Sequence, residues 1–70
     1  MAITGAQLQA ALGTNAMNAI VMREYGTFGT TQQWLVSGNV DAAGRCRFVS
    51  TTAADDAATQ AAAVLTSLRA

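Results

Sequence analysis

The architecture of this chain follows from the stretch Gln32–Thr51, which reads QQWLVSGNVDAAGRCRFVST. Large apolar residues alternate with polar ones from Gln32 to Asp41, which is the pattern of a strand with one buried face. Residues 41–44 combine an Asp at the first position with a Gly at the last, as is typical of a hairpin turn. The residues from Arg45 to Thr51 then form the returning strand. An antiparallel hairpin is therefore the predicted centre of the fold.

The alternation along this hairpin predicts which side chains share each face of the sheet. The face toward the core is expected to carry Trp34, Val36, Val40, Cys46 and Phe48. The opposite, outer side is expected to carry Gln33, Leu35, Ser37, Arg45, Arg47 and Val49. Cys46 is accordingly predicted to be a reduced thiol that acts as a small apolar core residue.

The residues before the hairpin predict a helix and a first strand. Thr4–Leu12 reads as a short helix with Thr4 as its N-cap. The segment Asn18–Tyr25 fits two patterns, because its β-branched and aromatic residues favour a strand while its apolar spacing also fits a helix. The strand is preferred, since a second helix so soon after the first would need a very tight connection. Two Gly and three Thr make Gly26–Thr31 a loop, with Phe28 at its centre.

The residues after the hairpin, Thr52–Arg69, give the strongest helix pattern of the chain. Thr52 is the expected N-cap, and Asp55 and Asp56 lie in the first turn, where the helix dipole favours negative charge. The predicted core-facing stripe of this helix consists of Ala54, Ala57, Ala58, Ala61, Val64, Leu65 and Leu68.

The predicted element order is helix, strand, strand, strand, helix, within one small domain of residues 1–70. This order belongs to the α+β class. The expected architecture is αβββα, a three-stranded antiparallel meander with two helices packed on one face.

This order and length resemble the double-stranded-RNA-binding domain, which has the same αβββα fold. The likeness in sequence is concentrated at residues 54–65, where small residues recur at the packing positions of that family's last helix. The resemblance implies duplex RNA binding through cations near the start of this helix. Here Asp55 and Asp56 occupy two of the family's lysine positions and Thr59 a third, and the family's loop histidine has no counterpart. We therefore expect a shared fold without the RNA contacts.

Composition excludes several classes of function. The 70 residues include one Cys and no His, so no His-based triad and no Cys or His metal cluster can form within the chain. Four basic residues balance four acidic ones, which argues against a nucleic-acid partner. The sequence contains no nucleophile–base pair, phosphate-binding loop or set of metal ligands. We predict no enzyme activity, no catalytic residue, no cofactor and no metal.

The sequence also bears on location. No stretch approaches the roughly 20 apolar residues that cross a bilayer, and the first residues lack the basic and apolar parts of a signal peptide. The expected location is the cytoplasm of the producing cell, or a virion, because the composition is similar to that of small phage-encoded virion and accessory proteins.

The predicted function is that of a non-catalytic structural or protein-interaction module, whose partner is another copy of itself or a larger protein assembly. A chain of this length without a disulfide builds a thin core, and its zero net charge does not oppose contact between copies. The candidate interaction residues are Phe28, Gln33, Leu35, Arg45, Arg47 and Val49. Two alternatives stay open, a nucleic-acid-binding module of the double-stranded-RNA-binding type and a small inhibitor or adaptor that docks on a larger protein.

Overall fold

Two helices and three antiparallel strands make up the structure, a computed structural model that describes residues 2–14 and 17–70. The elements are α1 (Gly5–Thr14), β1 (Met17–Phe28), β2 (Thr31–Val40), β3 (Ala43–Thr52) and α2 (Ala57–Arg69). The strands lie in the order β1-β2-β3, each antiparallel to its neighbour. Both helices pack on one face of the sheet, α1 against β1 and α2 mainly against β3. The predicted α+β class and αβββα order are confirmed.

The segment that fitted both a helix and a strand is a strand. β1 continues past Tyr25 to Phe28, so the expected loop from Gly26 to Thr31 shrinks to a turn at residues 29 and 30. Glycine permits this extension. Gly26 has a φ of 110° at a shift in register, and Gly29 has a φ of 63° in the turn.

The turn between β2 and β3 is shorter than predicted. Val40 pairs with Ala43, so only Asp41 and Ala42 form the turn, with φ values of 51° and 64°. Positive φ at both central residues is characteristic of a type I′ turn, whose twist matches that of the flanking strands. The register then continues without a shift through all ten residues of each strand, including Gly38.

This register reverses the predicted faces of β3. Phe48 lies opposite Leu35 and Cys46 opposite Ser37, so both point away from the helices and are exposed. The prediction that Cys46 and Phe48 belong to the core is wrong. A turn with an even number of residues places the odd-numbered residues of β3 opposite the even-numbered, buried residues of β2.

Arg45, Arg47 and Val49 therefore lie on the helix-facing side of β3, and their predicted place on the outer side is wrong. Val49 lies opposite Trp34 and is buried. Burial in β3 is limited to residues 49 and 51, and both arginines remain exposed. Arg47 donates a hydrogen bond of 3.0 Å from Nη2 to the backbone oxygen of Ala70, just beyond α2.

Side-chain caps set the start of each helix. Thr4 is the predicted N-cap of α1 and forms a capping box with Gln7. Thr4 Oγ1 accepts from the Gln7 N–H at 3.2 Å, and the Gln7 side chain accepts from the Thr4 N–H at 2.8 Å. The N-cap of α2 is Asp56, whose carboxylate accepts from the Thr59 N–H at 2.8 Å. The predicted start at Thr52 is wrong, because Thr52 belongs to β3.

The core lies between the sheet and the helices and draws on all five elements. The predicted stripe of α2 is confirmed in its second half, whereas Ala54 and Ala58 are exposed. The buried apolar residues are Leu8, Leu12, Met17, Trp34, Val36, Val40, Val49, Ala53, Ala61, Val64, Leu65 and Leu68.

A buried hydrogen-bond network extends from the indole of Trp34 to the N-terminal segment. Trp34 Nε1–H donates to Thr51 Oγ1 at 2.9 Å, and the Thr51 hydroxyl donates to Gln60 Oε1 at 2.6 Å. Gln60 Nε2 donates to Gln32 Oε1 at 2.9 Å, and the Gln32 side chain makes two hydrogen bonds with the backbone of Ile3. The network thereby joins α2, β2, β3 and the segment before α1.

An exposed ion pair joins the end of α2 to the β2–β3 turn. Arg69 Nε and Nη2 lie 2.7 and 3.2 Å from the Asp41 carboxylate oxygens. The hydrogen bond from Arg69 holds the pKa of Asp41 below its usual value, and the same bond raises the pKa of Arg69. Because the pair is in solvent, it positions the turn more than it stabilises the fold.

Candidate interaction surface

The side of the sheet that faces away from the helices, here called the outer face, has no described element packed on it. Residues 35 and 37 of β2 are partly exposed there, whereas residues 34 and 36 on the other side are buried. By register and ring contact, the outer face carries Arg23, Tyr25, Phe28, Gln33, Leu35, Ser37, Cys46, Phe48 and Ser50.

Two aromatic rings lie side by side on the outer face. The ring centroids of Tyr25 and Phe48 are 5.3 Å apart and the ring planes are inclined by 56°, a tilted arrangement that the ring quadrupoles favour. Tyr25 is 44% exposed and Phe48 is 53% exposed. The two rings come from the outer strands β1 and β3 and span β2, on which Leu35 is the pairing partner of Phe48. They form an exposed aromatic pair on this face.

A bulge in β1 places Tyr25 in this position. Glu24 pairs with Trp34 on the helix side, but it is Gly26, not Tyr25, that pairs with Gln33. Tyr25 and Gly26 together oppose one residue of β2, which is the definition of a bulge. The positive φ of Gly26 allows the chain to make this adjustment.

Arg23 is the only charged residue at an outer-face position of the described strands. It pairs with Leu35, and its guanidinium carbon lies 5.9 Å from the centroid of the Tyr25 ring, within the range of a cation–π interaction. Arg23 and Leu35 also line an open depression together with Met22 and Ser37. The outer face is thus aromatic and carries one cation.

Phe28 lies at the end of the sheet, beside the β1–β2 turn. It pairs with Thr31 and is 55% exposed. Its ring approaches Gly26, since a Cβ built on that residue would lie 3.8 Å from the ring. The aromatic surface therefore extends along β1 toward the turn.

Three of the six predicted interaction residues lie on the outer face, namely Phe28, Gln33 and Leu35. The other three, described above, lie on the helix-facing side. Sequence reasoning missed Tyr25 and Phe48 as surface residues. The signal for Phe48 was present, because any turn with an even number of residues places residue 48 on the same side of the sheet as Leu35.

The reactive groups of this surface are isolated from one another. Cys46 is exposed beside Ser37, and the sequence contains no His to activate its thiol. Within residues 2–14 and 17–70, no three His, Cys, Asp or Glu side chains are arranged to hold a metal ion. What the outer face offers is therefore apolar contact area and a single cation.

Neither described helix combines the length and apolarity needed to cross a membrane. Comparisons of the chain with protein-family models, with curated proteins and with solved structures found no match.

Proposed function

We propose that this chain is a non-catalytic protein-interaction module that associates with a second copy of itself through the outer face, as a small component of an assembly. The observation that carries the proposal is the exposed Tyr25–Phe48 pair on an uncovered sheet. Single apolar residues are common on protein surfaces, but adjoining exposed rings beside an apolar strand residue are typical of interaction sites.

The charge of the outer face supports a second copy as the partner. Among the residues that the structure describes on this face, Arg23 is the one that is charged, and the Tyr25 ring lies close to that cation. In a twofold dimer the same patch of each copy meets its counterpart, so a strongly charged patch would repel itself. The outer face carries a single cation that contacts the Tyr25 ring, so two such faces should repel each other only weakly. The net charge of zero acts in the same direction.

The size of the outer face predicts a reversible dimer. The accessible surface of 3974 Å² is about that expected for a folded monomer of this mass. A single copy therefore buries its core without a partner. A three-stranded sheet of ten-residue strands presents a face of roughly 30 by 14 Å. Covering it in both copies buries on the order of 1,000 Å² in total, at the lower end for specific interfaces.

Duplex RNA, the alternative implied by the resemblance, has less support. Its binding would need cations near the start of α2, where the residues are Asp55 and Asp56. Asp56 is moreover engaged as the N-cap through the Thr59 N–H. We expect no binding of duplex RNA.

The mass in solution tests the proposal. Light scattering after size exclusion is measured at a low and a high concentration for the wild-type chain, for Tyr25→Thr/Phe48→Thr and for Ala62→Thr. Thr suits a strand, so the double variant is expected to keep the fold, which circular dichroism checks. Ala62 is exposed on α2, so its variant places the same new residue on the opposite surface.

We expect the wild-type chain and Ala62→Thr to rise from 7.2 kDa toward twice that mass as concentration increases. The folded double variant should remain at 7.2 kDa at both concentrations. A wild-type chain that stays monomeric at the higher concentration would overturn the proposal. So would a double variant that associates as strongly as the wild-type chain.

A further inference from the structure

β3 leaves one edge of the sheet open. It is the last strand in the order β1-β2-β3, and no other described strand pairs with it on that side. Its pairing with β2 is regular throughout, and residues 44–48 are exposed. The sequence contains no Pro, so every residue of this edge keeps its backbone N–H. β3 therefore has the features of an edge that can accept a further strand.

β1, the opposite edge, is less suited to this role. Its pairing with β2 shifts register twice, between Asn18 and Val21 and again between Glu24 and Gly26. Bulges bend and twist an edge strand, and they interrupt the regular ladder that an added strand would need. An added strand is therefore expected at β3.

The backbone groups that β3 offers follow from the hairpin. Val40 and Ala43 flank a two-residue turn and form a hydrogen-bonded pair, so residues 43, 45 and 47 bond to β2. In an antiparallel ladder, the residues between them direct their N–H and C=O groups away from that partner. Gly44, Cys46 and Phe48 thus present three donors and three acceptors along the open edge.

The arginines of β3 determine which strand fits. Arg45 and Arg47 are exposed on one side of the strand, and β3 contains no acidic residue. Arg47 uses Nη2 to bond Ala70 and keeps its other N–H groups. Asp41, the nearest acid in the turn, is paired with Arg69.

A second copy is a poor partner at this edge. Pairing β3 with the β3 of another copy would bring the arginines of both strands close together, which is unfavourable. An extended segment with acidic residues at alternate positions would instead place carboxylates beside Arg45 and Arg47. Apolar residues between those acids would lie on the side of Phe48.

We infer that the β3 edge binds an extended acidic segment of another protein, which joins the sheet as a fourth strand. Backbone hydrogen bonds to Gly44, Cys46 and Phe48 supply affinity, and the two arginines supply selectivity. The backbone edge and the partner differ from those of the proposed dimer, although Cys46 and Phe48 belong to both surfaces. The inference therefore does not depend on self-association.

Titration of the 15N-labelled chain with a blocked hexapeptide of alternating Glu and Val tests the inference by NMR. A peptide of alternating Lys and Val is the charge control. We expect saturable binding of the acidic peptide with a Kd below about 1 mM, with amide shifts centred on residues 44–48. The basic peptide should bind at least tenfold more weakly. In Arg45→Glu/Arg47→Glu this preference should reverse.

A second pair of variants tests the backbone contribution. Cys46→Pro removes an N–H that points to the open edge and leaves the bonds to β2 in place, so the folded variant should bind at least tenfold more weakly. Cys46→Ser keeps the N–H and should retain wild-type affinity. Equal binding of the two peptides, shifts centred on β1, or no binding at about 1 mM peptide would each overturn the inference.

The result of the peptide titration can be interpreted independently of the result of the light-scattering test. Arg45 and Arg47 lie outside the outer face, so in high salt, which screens the changed net charge, the charge-reversed chain should self-associate like the wild-type chain in light scattering. A wild-type chain that proves monomeric still permits the peptide titration.

Discussion

The indole Nε1–H of Trp34 donates a hydrogen bond of 2.9 Å to Oγ1 of Thr51, in an interior where Trp34 is 1% exposed. Thr51 pairs with Gln32 rather than with Trp34, so the bond runs diagonally between β2 and β3. The Thr51 hydroxyl also donates to Gln60 Oε1 on α2. One hydroxyl group thus connects both strands to the helix.

Thr51→Val should lower the free energy of unfolding by about 1–3 kcal/mol, because it leaves the buried indole N–H without an acceptor while keeping the side-chain volume. Urea unfolding followed by the fluorescence of Trp34, the single Trp, measures the change. Thr52→Val, at the exposed neighbouring position, is the control and should stay within about 0.5 kcal/mol of wild type. Equal stability of the two variants would contradict the role of Thr51.

The face on which Cys46 lies predicts its reactivity. In the folded chain, its exposed thiol should react with Ellman's reagent at a rate within about tenfold of that in urea. Cys46→Ser/Val49→Cys moves the thiol to a buried position of the same strand, where it should react only through unfolding. A protected thiol in the wild-type monomer would show that the faces of β3 are the reverse of those described.

The strain in the β2–β3 turn predicts a stabilising change. Ala42 has a φ of 64°, a left-handed conformation that costs a residue with a Cβ roughly 1–2 kcal/mol. Ala42→Gly removes this cost and adds some chain entropy to the unfolded state, so a net gain of about 0.5–1 kcal/mol is expected. Ala43→Gly, in the strand beside it, should instead destabilise. Thermal unfolding of both variants distinguishes the two positions, and a loss of stability in Ala42→Gly would refute the prediction.

Acid should destabilise the fold through two carboxylates. Hydrogen bonds from Arg69 and from Thr59 hold the folded-state pKa values of Asp41 and Asp56 below the ordinary value of 3.8. A lowered folded-state pKa stabilises the protein above the unfolded-state pKa, and this contribution is lost as the pH falls through the folded-state pKa. The free energy of unfolding should therefore be nearly constant from pH 7 to about pH 5 and decline below about pH 4.

Asp41→Asn/Asp56→Asn tests this assignment, since Asn is also a good N-cap and neither new side chain titrates. Denaturant unfolding over a pH series should show a shallower acid decline for this double variant than for the wild-type chain. Identical slopes would mean that other groups cause the acid sensitivity.

The element order could be predicted because local patterns specify it. The capping box of Thr4 and Gln7 and the alternation around Trp34 act over a few residues, and both are present in the structure. The start of α2 was missed because Thr52 and Asp56 are both good N-caps. Whether Thr52 or Asp56 caps α2 depends on how far β3 pairs with β2, and this pairing joins residues that are far apart in the sequence.

The faces of β3 could not be read from hydropathy. Cys46 and Phe48 are apolar, whereas Arg45 and Arg47 are charged. Alternation alone therefore predicts that Cys46 and Phe48 face the core. The hairpin turn decides otherwise, because a turn of two residues, or of the four first expected, places Phe48 on the same side of the sheet as Leu35. The candidate site was missed in part for the same reason. Gln60 was missed as a core residue because its partner Gln32 lies 28 positions away in the sequence.

The contact between Gln32 and Ile3 has a consequence for how the chain opens. The Ile3 N–H donates to Gln32 Oε1 at 3.2 Å, and the Ile3 carbonyl accepts from Gln32 Nε2 at 2.8 Å. A segment ahead of the first helix would ordinarily fray and exchange its amide hydrogens quickly. Here, detaching Ile3 removes two hydrogen bonds from the buried side-chain amide of Gln32, so we expect the segment to open only together with the core. Deuterium uptake at Ile3 should thus be as slow as at Trp34, which hydrogen exchange followed by NMR measures.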